Sequence, residues 1–442
     1  MTVMCDNCGV TSDLDETFTQ ARKSFQRKEI TYCPSCWAKR QISSLKSFYW
    51  IWGIFALTGI IKVAFDPKEG WLFLNLFFSG LCILLMIIPH ELGHAIIAKW
   101  LGRRVFNIVI GSGHIIKKVM IFGFIFEIRQ FPFHGLTLSL ASSPRWYRLK
   151  QFLIVLAGPA VNLCLLVLVL PFFDSQRLNP SFANALSPVG WLILANVWIL
   201  LLNLFPHRLK LSDRKIANDG LSLLTLPFLS KTKIKQILPF YYVFEGSELL
   251  KNGQFKDALD CYRKGLMNHP EHFSIKNGLG IALMELGEVK EARTIFAQLL
   301  EKEESNKFLH ATIVNNLAYT NILYDRQGLL EEADALSVQV YRSFPWVPMF
   351  KGTRGVILTE MGKFDEGINL LKQAMEENES PRHKASEAAH IAIAEMRRGN
   401  HKRARQYLNT ALQFDVNCFL IERVRNELLT AQDLQPVSEG SL

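Results

Sequence analysis

A hydrophobic stretch that ends in two histidines and a glutamate constrains this chain most. Residues 71–88 are almost all apolar, and a membrane-spanning helix needs about 20 such residues. The stretch then runs into His90, Glu91 and His94, in the order H-E-L-G-H. An ionisable group at membrane depth costs about 2.5–3.5 kcal/mol on insertion scales. Three such groups side by side therefore indicate a functional site.

The spacing of these three residues is typical of a zinc site. Residues i and i+4 of a helix share a face, so His90 and His94 can direct imidazole nitrogens at one zinc ion. Glu91 lies beside them and can take a proton from a water molecule on the metal. The alternative is a chance H-E-x-x-H, which its position in an apolar run disfavours. Because a catalytic zinc normally has three protein ligands, a third remains to be found.

Two C-x-x-C pairs near the N-terminus predict a second, structural zinc site. Four thiolates on two tight turns can close a tetrahedral site, and the pairs are separated by 24 residues. A redox pair is the alternative, and the presence of a second pair argues against it. We expect a zinc ribbon over residues 1–40, in a reducing compartment, so that the N-terminus is cytosolic. The predicted ligands are Cys5, Cys8, Cys33 and Cys36.

Four apolar segments predict a multi-pass membrane domain over residues 48–230. Basic residues are concentrated before the first segment, between the second and third, and after the fourth. The other two links have one each, Lys68 and Arg177, so the positive-inside rule places both termini in the cytosol. Loop charge of this kind explains the net charge of +10 better than nucleic-acid binding does. The predicted spans are 48–65, 71–101, 152–173 and 188–206.

The loop over residues 105–140 differs in character from the helices around it. Its β-branched and aromatic runs are broken by Gly111, Gly113 and Gly123, which predicts two to four strands at the membrane surface near the zinc. Two interpretations stay open. The sheet edge pairs with an extended substrate segment, or the strands form a simple packing hairpin. We interpret His114 and His134 as surface or turn histidines, not ligands.

Three further motifs complete a family resemblance. They are A-G-P-A-V-N at 157–162, N-L-F-P at 203–206 and N-D-G at 218–220. Together with H-E-L-G-H they resemble the site-2 protease family of intramembrane zinc metalloproteases, over roughly residues 51–229. The resemblance implies that His90 and His94 bind zinc, that Asp219 is the third ligand and that Glu91 is the catalytic base. It also implies that Asn162 helps to hold the substrate strand or the oxyanion.

One feature departs from the family pattern. The link from Pro206 to Asp219 is longer and more basic than in many members, which leaves Asp213 as an alternative ligand. Asp219 is favoured because Gly220 follows it and an apolar helix resumes at Leu221. The structural alternative for Asp219 is a helix N-cap.

The region over residues 239–430 repeats itself with a period of 34 residues and contains five units. This pattern resembles the tetratricopeptide repeat, in which small residues let paired helices approach and stacked pairs form an α-solenoid. It predicts a docking surface for a partner protein, or alternatively a scaffold that packs against the membrane domain. Residues 431–442 are expected to be a flexible tail. Gly246, Gly253, Ala258 and Tyr262 recur as Gly280, Gly287, Ala292 and Phe296.

These features together predict a mainly α chain with a short β insertion. The predicted activity is a zinc-dependent metalloendopeptidase that cuts membrane-spanning proteins within or near the bilayer, with one catalytic and one structural zinc ion. The alternative is a non-catalytic membrane adaptor whose repeats bind a partner. The intact H-E-L-G-H argues against it. A zinc transporter is disfavoured because it would need ionisable residues along several spans.

Overall fold

The structure, a computed structural model, shows a mainly helical chain, as predicted. By its internal packing the chain divides into two compact units. One unit combines Met1–Ala38 with Tyr242–Leu442, and the other is Lys39–Tyr241. The residues described are 3–12, 19–22, 29–173, 188–211, 214–302 and 306–433.

The N-terminal segment forms two short antiparallel hairpins. Strand β1 (Val3–Met4) pairs with β2 (Thr11–Ser12), and β3 (Thr19–Arg22) pairs with β4 (Glu29–Tyr32). Helix α1 (Pro34–Phe65) begins directly after β4. The first pair of cysteines therefore lies in the β1–β2 turn, and the second pair lies where β4 passes into α1.

Helix α2 (Pro67–Trp100) carries the H-E-L-G-H motif near its C-terminal end. The Asp66 carboxylate caps its N-terminus by accepting a hydrogen bond from the backbone N–H of Glu69. Pro67 occupies the first turn, where its missing N–H costs nothing. The motif is therefore part of one long helix with a well-defined start.

Two of the remaining helices of this unit, α3 (Tyr147–Val169) and α4 (Pro188–Leu204), pack against α2. Gly93 lies where α2 crosses the next helix, because a Cβ on Gly93 would be 2.9 Å from the backbone oxygen of Ala157. This close approach places the two histidines of α2 directly against α3. The remaining helices are α3 (Tyr147–Val169, extended by a 3-10 turn over Leu170–Phe172), α4 (Pro188–Leu204), α5 (Asp219–Thr225) and α6 (Lys231–Ile237).

Two helices of the described chain are long and apolar enough to cross a membrane, Pro67–Trp100 and Tyr147–Phe172. Two more apolar helices, Tyr49–Phe65 and Pro188–Leu204, are shorter. Each of the four overlaps one of the predicted spans. By length and composition, two of the four therefore qualify as membrane-spanning helices.

A long hairpin follows α2, as the sequence predicts. Strands β5 (Arg104–Ile121) and β6 (Phe124–Leu140) join at Phe122 and Gly123, which both have positive φ. The hairpin bends back on itself, so that Ile108 pairs with both Thr137 and Phe126.

The bend gives the sheet a defined edge. Gly111 has a φ of +97°, and a Cβ there would be 2.5 Å from the backbone oxygen of Phe131. Residues 135–140 pair on one side with 104–110. Among the described residues, no strand pairs with their other side.

A second, short hairpin occupies the basic link after α4. Strand β7 (Arg208–Leu211) pairs with β8 (Arg214–Ala217). Asp213, the alternative third ligand, lies outside the described residues.

The C-terminal region is an α-solenoid of tetratricopeptide type, as predicted. Five helix pairs are followed by a last helix that reaches Asp433, so the first residues of the predicted tail are helical, and the rest lie outside the described residues. Gly253 and Gly287, with φ of +74° and +85°, make the turns within the first two pairs. The helices are α7 (Pro239–Lys251), α8 (Phe255–Asn268), α9 (Phe273–Glu285), α10 (Val289–Leu300), α11 (Lys307–Tyr324), α12 (Leu330–Ser343), α13 (Pro348–Glu360), α14 (Phe364–Glu377), α15 (Pro381–Arg397), α16 (His401–Phe414) and α17 (Leu420–Asp433).

The N-terminal hairpins pack on the third helix pair of the solenoid. The Ser12 hydroxyl donates a hydrogen bond to the backbone oxygen of Ser343 at 2.7 Å. Trp346, in the turn after α12, packs against the buried residues around Cys5 and Cys33. The N-terminal segment thus gains from the repeats an apolar contact that so small a domain cannot supply alone.

Candidate metal centre

Three side chains from two helices meet at one point. His90 and His94 lie one turn apart on α2, and their Nε2 atoms are 3.2 Å apart. The Oδ2 atom of Asp219, the first residue of α5, lies 3.1 Å from His90 Nε2 and 3.4 Å from His94 Nε2. We call these three residues the histidine site. The structure thus brings together the two predicted histidine ligands and the residue that the family resemblance singles out.

The other nitrogen of each imidazole is held by a hydrogen-bond acceptor. His90 Nδ1 lies 2.5 Å from Asn162 Oδ1, and His94 Nδ1 lies 2.7 Å from the backbone oxygen of Ile154. Each Nδ1 carries the proton in these bonds, which leaves the Nε2 lone pair free for a metal ion. Acceptors of this kind fix both the tautomer and the orientation of a metal-binding histidine.

The histidine site fits a zinc ion. Ligand atoms about 2.0–2.2 Å from a tetrahedral zinc lie roughly 3.3–3.5 Å from one another. The three distances between the site's atoms, 3.1, 3.2 and 3.4 Å, come within about 0.2 Å of that spacing. Gly158 provides the room, because a Cβ there would be 2.3 Å from His94 Nε2 and 2.8 Å from His90 Nε2. The glycine of the A-G-P motif thus leaves open the space in front of both nitrogens.

Glu91 is held separately, between α2 and β6. Its side chain is buried, and the Thr137 hydroxyl donates to its Oε2 at 2.8 Å. Gly135 lies against the carboxylate, since a Cβ there would be 2.3 Å from Oε1. The donor atoms of His90, Glu91 and His94 all lie within 4.8 Å of one another. Glu91 is therefore close enough to act on a molecule bound at the histidine site.

Asn162 contacts one ligand histidine and a second asparagine. Its Oδ1 accepts from His90, and its Nδ2 donates to Asn196 Oδ1 at 2.9 Å. Asn162 and Asn196 are both fully buried. Both atoms of the Asn162 amide thus have a partner within the protein, and the contact with a substrate strand or oxyanion stays a prediction.

Asn218 places Asp219 at the site. The Asn218 side chain accepts from the backbone N–H of Leu221 and so caps α5. Its Nδ2 also lies within hydrogen-bond distance of three backbone oxygens at the end of α4, the nearest that of Phe205 at 2.7 Å. The sequence suggested Asp219 as an N-cap, but the N-cap of α5 is Asn218. This leaves the Asp219 carboxylate free to face the histidines.

Two further features suit Asp219 to a ligand role. A Cβ on Gly220 would lie 2.0 Å from the backbone oxygen of Leu204, so only glycine allows α5 to start this close to α4. Burial raises the pKa of the Asp219 carboxyl, but the nearby imidazoles of His90 and His94 outweigh it and lower the pKa to about 2. The carboxylate is therefore ionised at neutral pH, as a metal ligand must be.

A cavity opens beside the histidine site and Glu91. Residues 134–139, which include the free edge of β6, form one of its walls. His134 lies here, half-buried, and within the described part of the chain its Nε2 has no hydrogen-bond partner. It lines the cavity and is not simply a surface histidine. The side chain of His114 lies outside the described part of the chain.

The four N-terminal cysteines form a second cluster. Their sulfur atoms all lie within 4.8 Å of one another. Four sulfurs about 2.3 Å from a tetrahedral zinc would be roughly 3.8 Å apart, and the Sγ atoms of Cys8 and Cys33 are 3.7 Å apart. The backbone N–H of Cys33 donates to Cys5 Sγ at 3.2 Å, a bond that favours a thiolate. We call these residues the cysteine cluster, and it too fits zinc.

Sequence reasoning missed three groups that support the histidine site. Asn196 could have been identified from the sequence, because it is a polar residue within the apolar segment that forms α4. Thr137 could not, since a threonine in a strand is ordinary. The role of the Ile154 backbone oxygen cannot be predicted from any sequence, because it depends only on how α3 crosses α2.

Comparison with known proteins agrees with the sequence resemblance. Residues 78–178 match the family described as peptidase family M50, and residues 245–306 match the tetratricopeptide repeat. No curated protein matches the chain.

Similar solved structures include tetratricopeptide repeat proteins. TTC0263, a thermophilic protein of Thermus thermophilus, has 20% identity and a TM-score of 0.35, over 43% of this chain and 99% of that one. MamA of Desulfovibrio magneticus has 18% identity and a TM-score of 0.28, over 40% and 94% of the two chains. YrrB has 17% identity and a TM-score of 0.26, over 42% and 90%.

Proposed function

We propose that this chain, which joins a peptidase family M50 domain to tetratricopeptide repeats, is a zinc-dependent protease that cuts membrane proteins within or near the bilayer. The observation that carries the proposal is the spacing of the histidine site. Two imidazole nitrogens and a carboxylate oxygen lie 3.1–3.4 Å apart, next to a buried glutamate. The match to peptidase family M50 over residues 78–178 supports it.

The surfaces of the apolar helices support a membrane location. On α3, Leu163, Val167 and Leu168 are 53%, 61% and 66% exposed, which would be costly in water over a continuous face. A core helix of a soluble protein would bury these residues. We propose four spans at α2, α3, Tyr49–Phe65 and α4, with both termini in the cytosol. This orientation follows from the basic residues in the loops.

The proposed reaction is hydrolysis of a peptide bond. Zinc held by His90, His94 and Asp219 would lower the pKa of a water molecule and polarise the peptide carbonyl. Glu91 accepts the proton of the attacking water and then gives it to the amine that leaves. Thr137 holds the Glu91 carboxylate in place for both proton transfers.

We assign Asn162 a positioning role. Its Oδ1 accepts from His90 Nδ1, and Asn196 in turn holds the Asn162 amide. This chain of hydrogen bonds joins α4, α3 and α2 and keeps His90 Nε2 directed at the metal. A proper orientation of the ligand raises metal affinity without any contact to the substrate.

The free edge of β6 is the proposed place for the substrate backbone. Residues 135–139 line the cavity next to Glu91, and their unpaired side can add an extended segment as a further strand. The substrate helix would have to unwind to reach this edge, because a peptide bond within a helix is not accessible. Of the two interpretations of the hairpin, we therefore favour substrate pairing.

The flanking domains have supporting roles in this proposal. Residues 1–40 form a structural zinc ribbon, residues 48–230 form the protease domain, and residues 239–430 form a repeat domain that docks a protein partner. Ribbon and repeats would select substrates or regulate their access.

The test is to trap the substrate. The full-length Glu91→Gln variant is expressed and purified in detergent, and the single-span proteins that co-purify are identified. Gln has the shape of Glu but cannot take a proton, so we expect substrates to be bound, uncut, and zinc to be retained. The matched control is Glu69→Gln, on the exposed first turn of the same helix.

Three outcomes separate the proposal from its alternative. Enrichment of uncut single-span proteins on the Glu91→Gln protein, with cut forms for the wild type and the control, supports the protease. Equal cutting by the Glu91→Gln protein rejects the mechanism. A non-catalytic adaptor would bind the same proteins uncut in all three forms.

A further inference from the structure

A cavity within the repeat region is lined by the first helices of three successive pairs. Asn315 lies on α11, Gly352 and Thr353 lie on α13, and Glu387 lies on α15. These helices belong to the concave side of a solenoid in which each pair contacts its neighbours. We call this space the repeat cavity. Its lining is rich in polar side chains, which is unusual for a space within packed helices.

Two hydrogen-bond acceptors in the wall of the repeat cavity have no partner among the residues that the structure describes. Asn315 is 2% exposed, and its Oδ1 accepts no hydrogen bond from them. Glu387 is 6% exposed, and its Oε2 likewise accepts none. A buried polar atom without a partner costs about 1–3 kcal/mol, so two of them along one cavity call for a donor that comes from elsewhere.

Two of the neighbouring cations in the described chain are already engaged in ion pairs. Arg382 donates to Glu285 at 2.5 Å, and its guanidinium lies 4.0 Å from the centre of the Phe255 ring. Lys351 donates to both carboxylate oxygens of Glu377 at 2.6 Å. No ion pair to Glu387 is found among the described residues.

The surroundings of Glu387 satisfy one of its two carboxyl oxygens. Its Oε1 accepts a hydrogen bond from Asn378 Nδ2 at 2.9 Å, which fixes the carboxyl group of a residue that lines the cavity. Burial raises the pKa of Glu387 to about 8, against smaller effects of Asn378 and Lys384. Gly352 keeps this space open, because a Cβ there would be 3.2 Å from Glu387 Oε1.

We propose that the repeat cavity binds a primary ammonium or guanidinium group, which donates hydrogen bonds to Glu387 Oε2 and Asn315 Oδ1. Such a group supplies donors to both acceptors and a positive charge to the carboxylate. A pKa of about 8 leaves the Glu387 carboxyl group mostly protonated without a bound cation, and a cation beside it would favour the ionised form, which a neutral donor would not do. An anion is disfavoured by Glu387. The inference is independent of the proposed protease activity.

The test uses the full-length protein in detergent and a set of matched peptides. Each is a fluorescent, eleven-residue peptide of alanine and glycine, with lysine, arginine, norleucine or glutamate at its centre. Binding is measured by fluorescence anisotropy. We expect the lysine or the arginine peptide to bind at least tenfold more tightly than the norleucine peptide, and the glutamate peptide not to bind.

Free N-acetyl-lysine amide distinguishes the two sources of such a group. If it competes only at concentrations far above the Kd of the best peptide, the occupant is a side chain of a polypeptide. If it binds as tightly as that peptide, the occupant is a small amine. Both results support a site for basic groups.

The matched variants are Glu387→Gln and Glu366→Gln. Gln at 387 keeps an acceptor for Asn378 but removes the charge, so we expect at least a tenfold loss of lysine-peptide binding. The unliganded Tm should be unchanged or higher, because a buried carboxyl group is removed. Glu366 is exposed on α14, and its variant should bind like the wild type.

Two results would overturn the proposal. One is equal affinity for the lysine, arginine and norleucine peptides, including no binding of any of them at millimolar concentration. The other is a Glu387→Gln protein that binds normally or whose Tm falls by several degrees, since Glu387 would then serve the fold alone.

Discussion

The two candidate zinc sites of this chain differ in how they are built. The cysteine cluster takes all its ligands from within residues 5–36, and its sulfur atoms surround the place of the metal. The histidine site takes two ligands from α2 and the third from α5, and it opens into a cavity. The first is a closed site and the second an open one.

This difference separates a structural role from a catalytic one. Four protein ligands leave no position for a substrate or water, whereas three ligands leave one. The groups that orient the ligands differ too, because the two histidines are held by hydrogen bonds to Asn162 and Ile154, which are not ligands themselves. Variants should therefore affect the two sites independently, and the effects below run from the largest to the smallest.

The largest effect is expected at Glu91. Replacing it by Gln should lower peptide-bond cleavage by about 10³-fold or more, since proton transfer by a positioned group contributes about 10²–10⁴-fold. Zinc content, measured by mass spectrometry of the purified protein, should stay at the wild-type value. A parallel loss of zinc would mean that Glu91 is a ligand and not the base.

The next largest effect is expected for the Gly158→Ala variant. Alanine there would place a methyl group 2.3 Å from His94 Nε2, so the site must distort or lose its metal. Overpacking of this kind costs about 1–3 kcal/mol or more, and we expect zinc affinity at the histidine site to fall by about 10²-fold.

Gly53→Ala is the control for Gly158→Ala. Gly53 also lies in an apolar helix, α1, and a Cβ there meets nothing within 4 Å. The zinc affinity of the Gly53→Ala variant, measured by chelator competition, should equal that of the wild type. Loss in both variants would point to a general effect of alanine on these helices.

Asn162 is expected to have a smaller effect. Removing a residue that orients a metal ligand typically costs about 10–100-fold in metal affinity, which is the expected result of Asn162→Ala. Excess zinc should restore much of the cleavage rate, because Asn162 acts on His90 and not on the substrate. A rate that stays low at saturating zinc would instead support the predicted contact with substrate or oxyanion.

The smallest effect on the histidine site should come from the cysteine cluster. Replacing Cys33 and Cys36 by Ser should remove one zinc ion per chain and loosen the packing of Trp346. Affinity at the histidine site should stay within about threefold of the wild type, since the two sites share no ligand. Intrinsic fluorescence would follow Trp346, and chelator competition would follow the remaining zinc.

The sequence predicted local features well and distant contacts poorly. His90, Glu91 and His94 follow from helical spacing alone, and the 34-residue period identifies the solenoid. Asp219 is different, because only the family resemblance connected it to α2. What places it there is Asn218, which ties α5 to the end of α4, and the bare backbone of Gly220.

The remaining differences also have physical causes. The hairpin bends back at Gly111, so the edge beside Glu91 depends on a turn that residue patterns do not specify. The hydrogen bonds of the Asn162 amide with His90 and Asn196 were also not predicted. Partners such as these are set by how helices cross, which a single sequence does not reveal.

The most direct test of the central claim is the zinc content of the protein without its cysteine cluster. With Cys33 and Cys36 replaced by Ser, the full-length chain should hold one zinc ion. Adding Asp219→Ala should reduce this to none at a moderate chelator concentration, whereas adding Glu91→Gln should leave one. One zinc ion retained after Asp219→Ala, or lost after Glu91→Gln, would contradict the assignment of His90, His94 and Asp219 as the ligands.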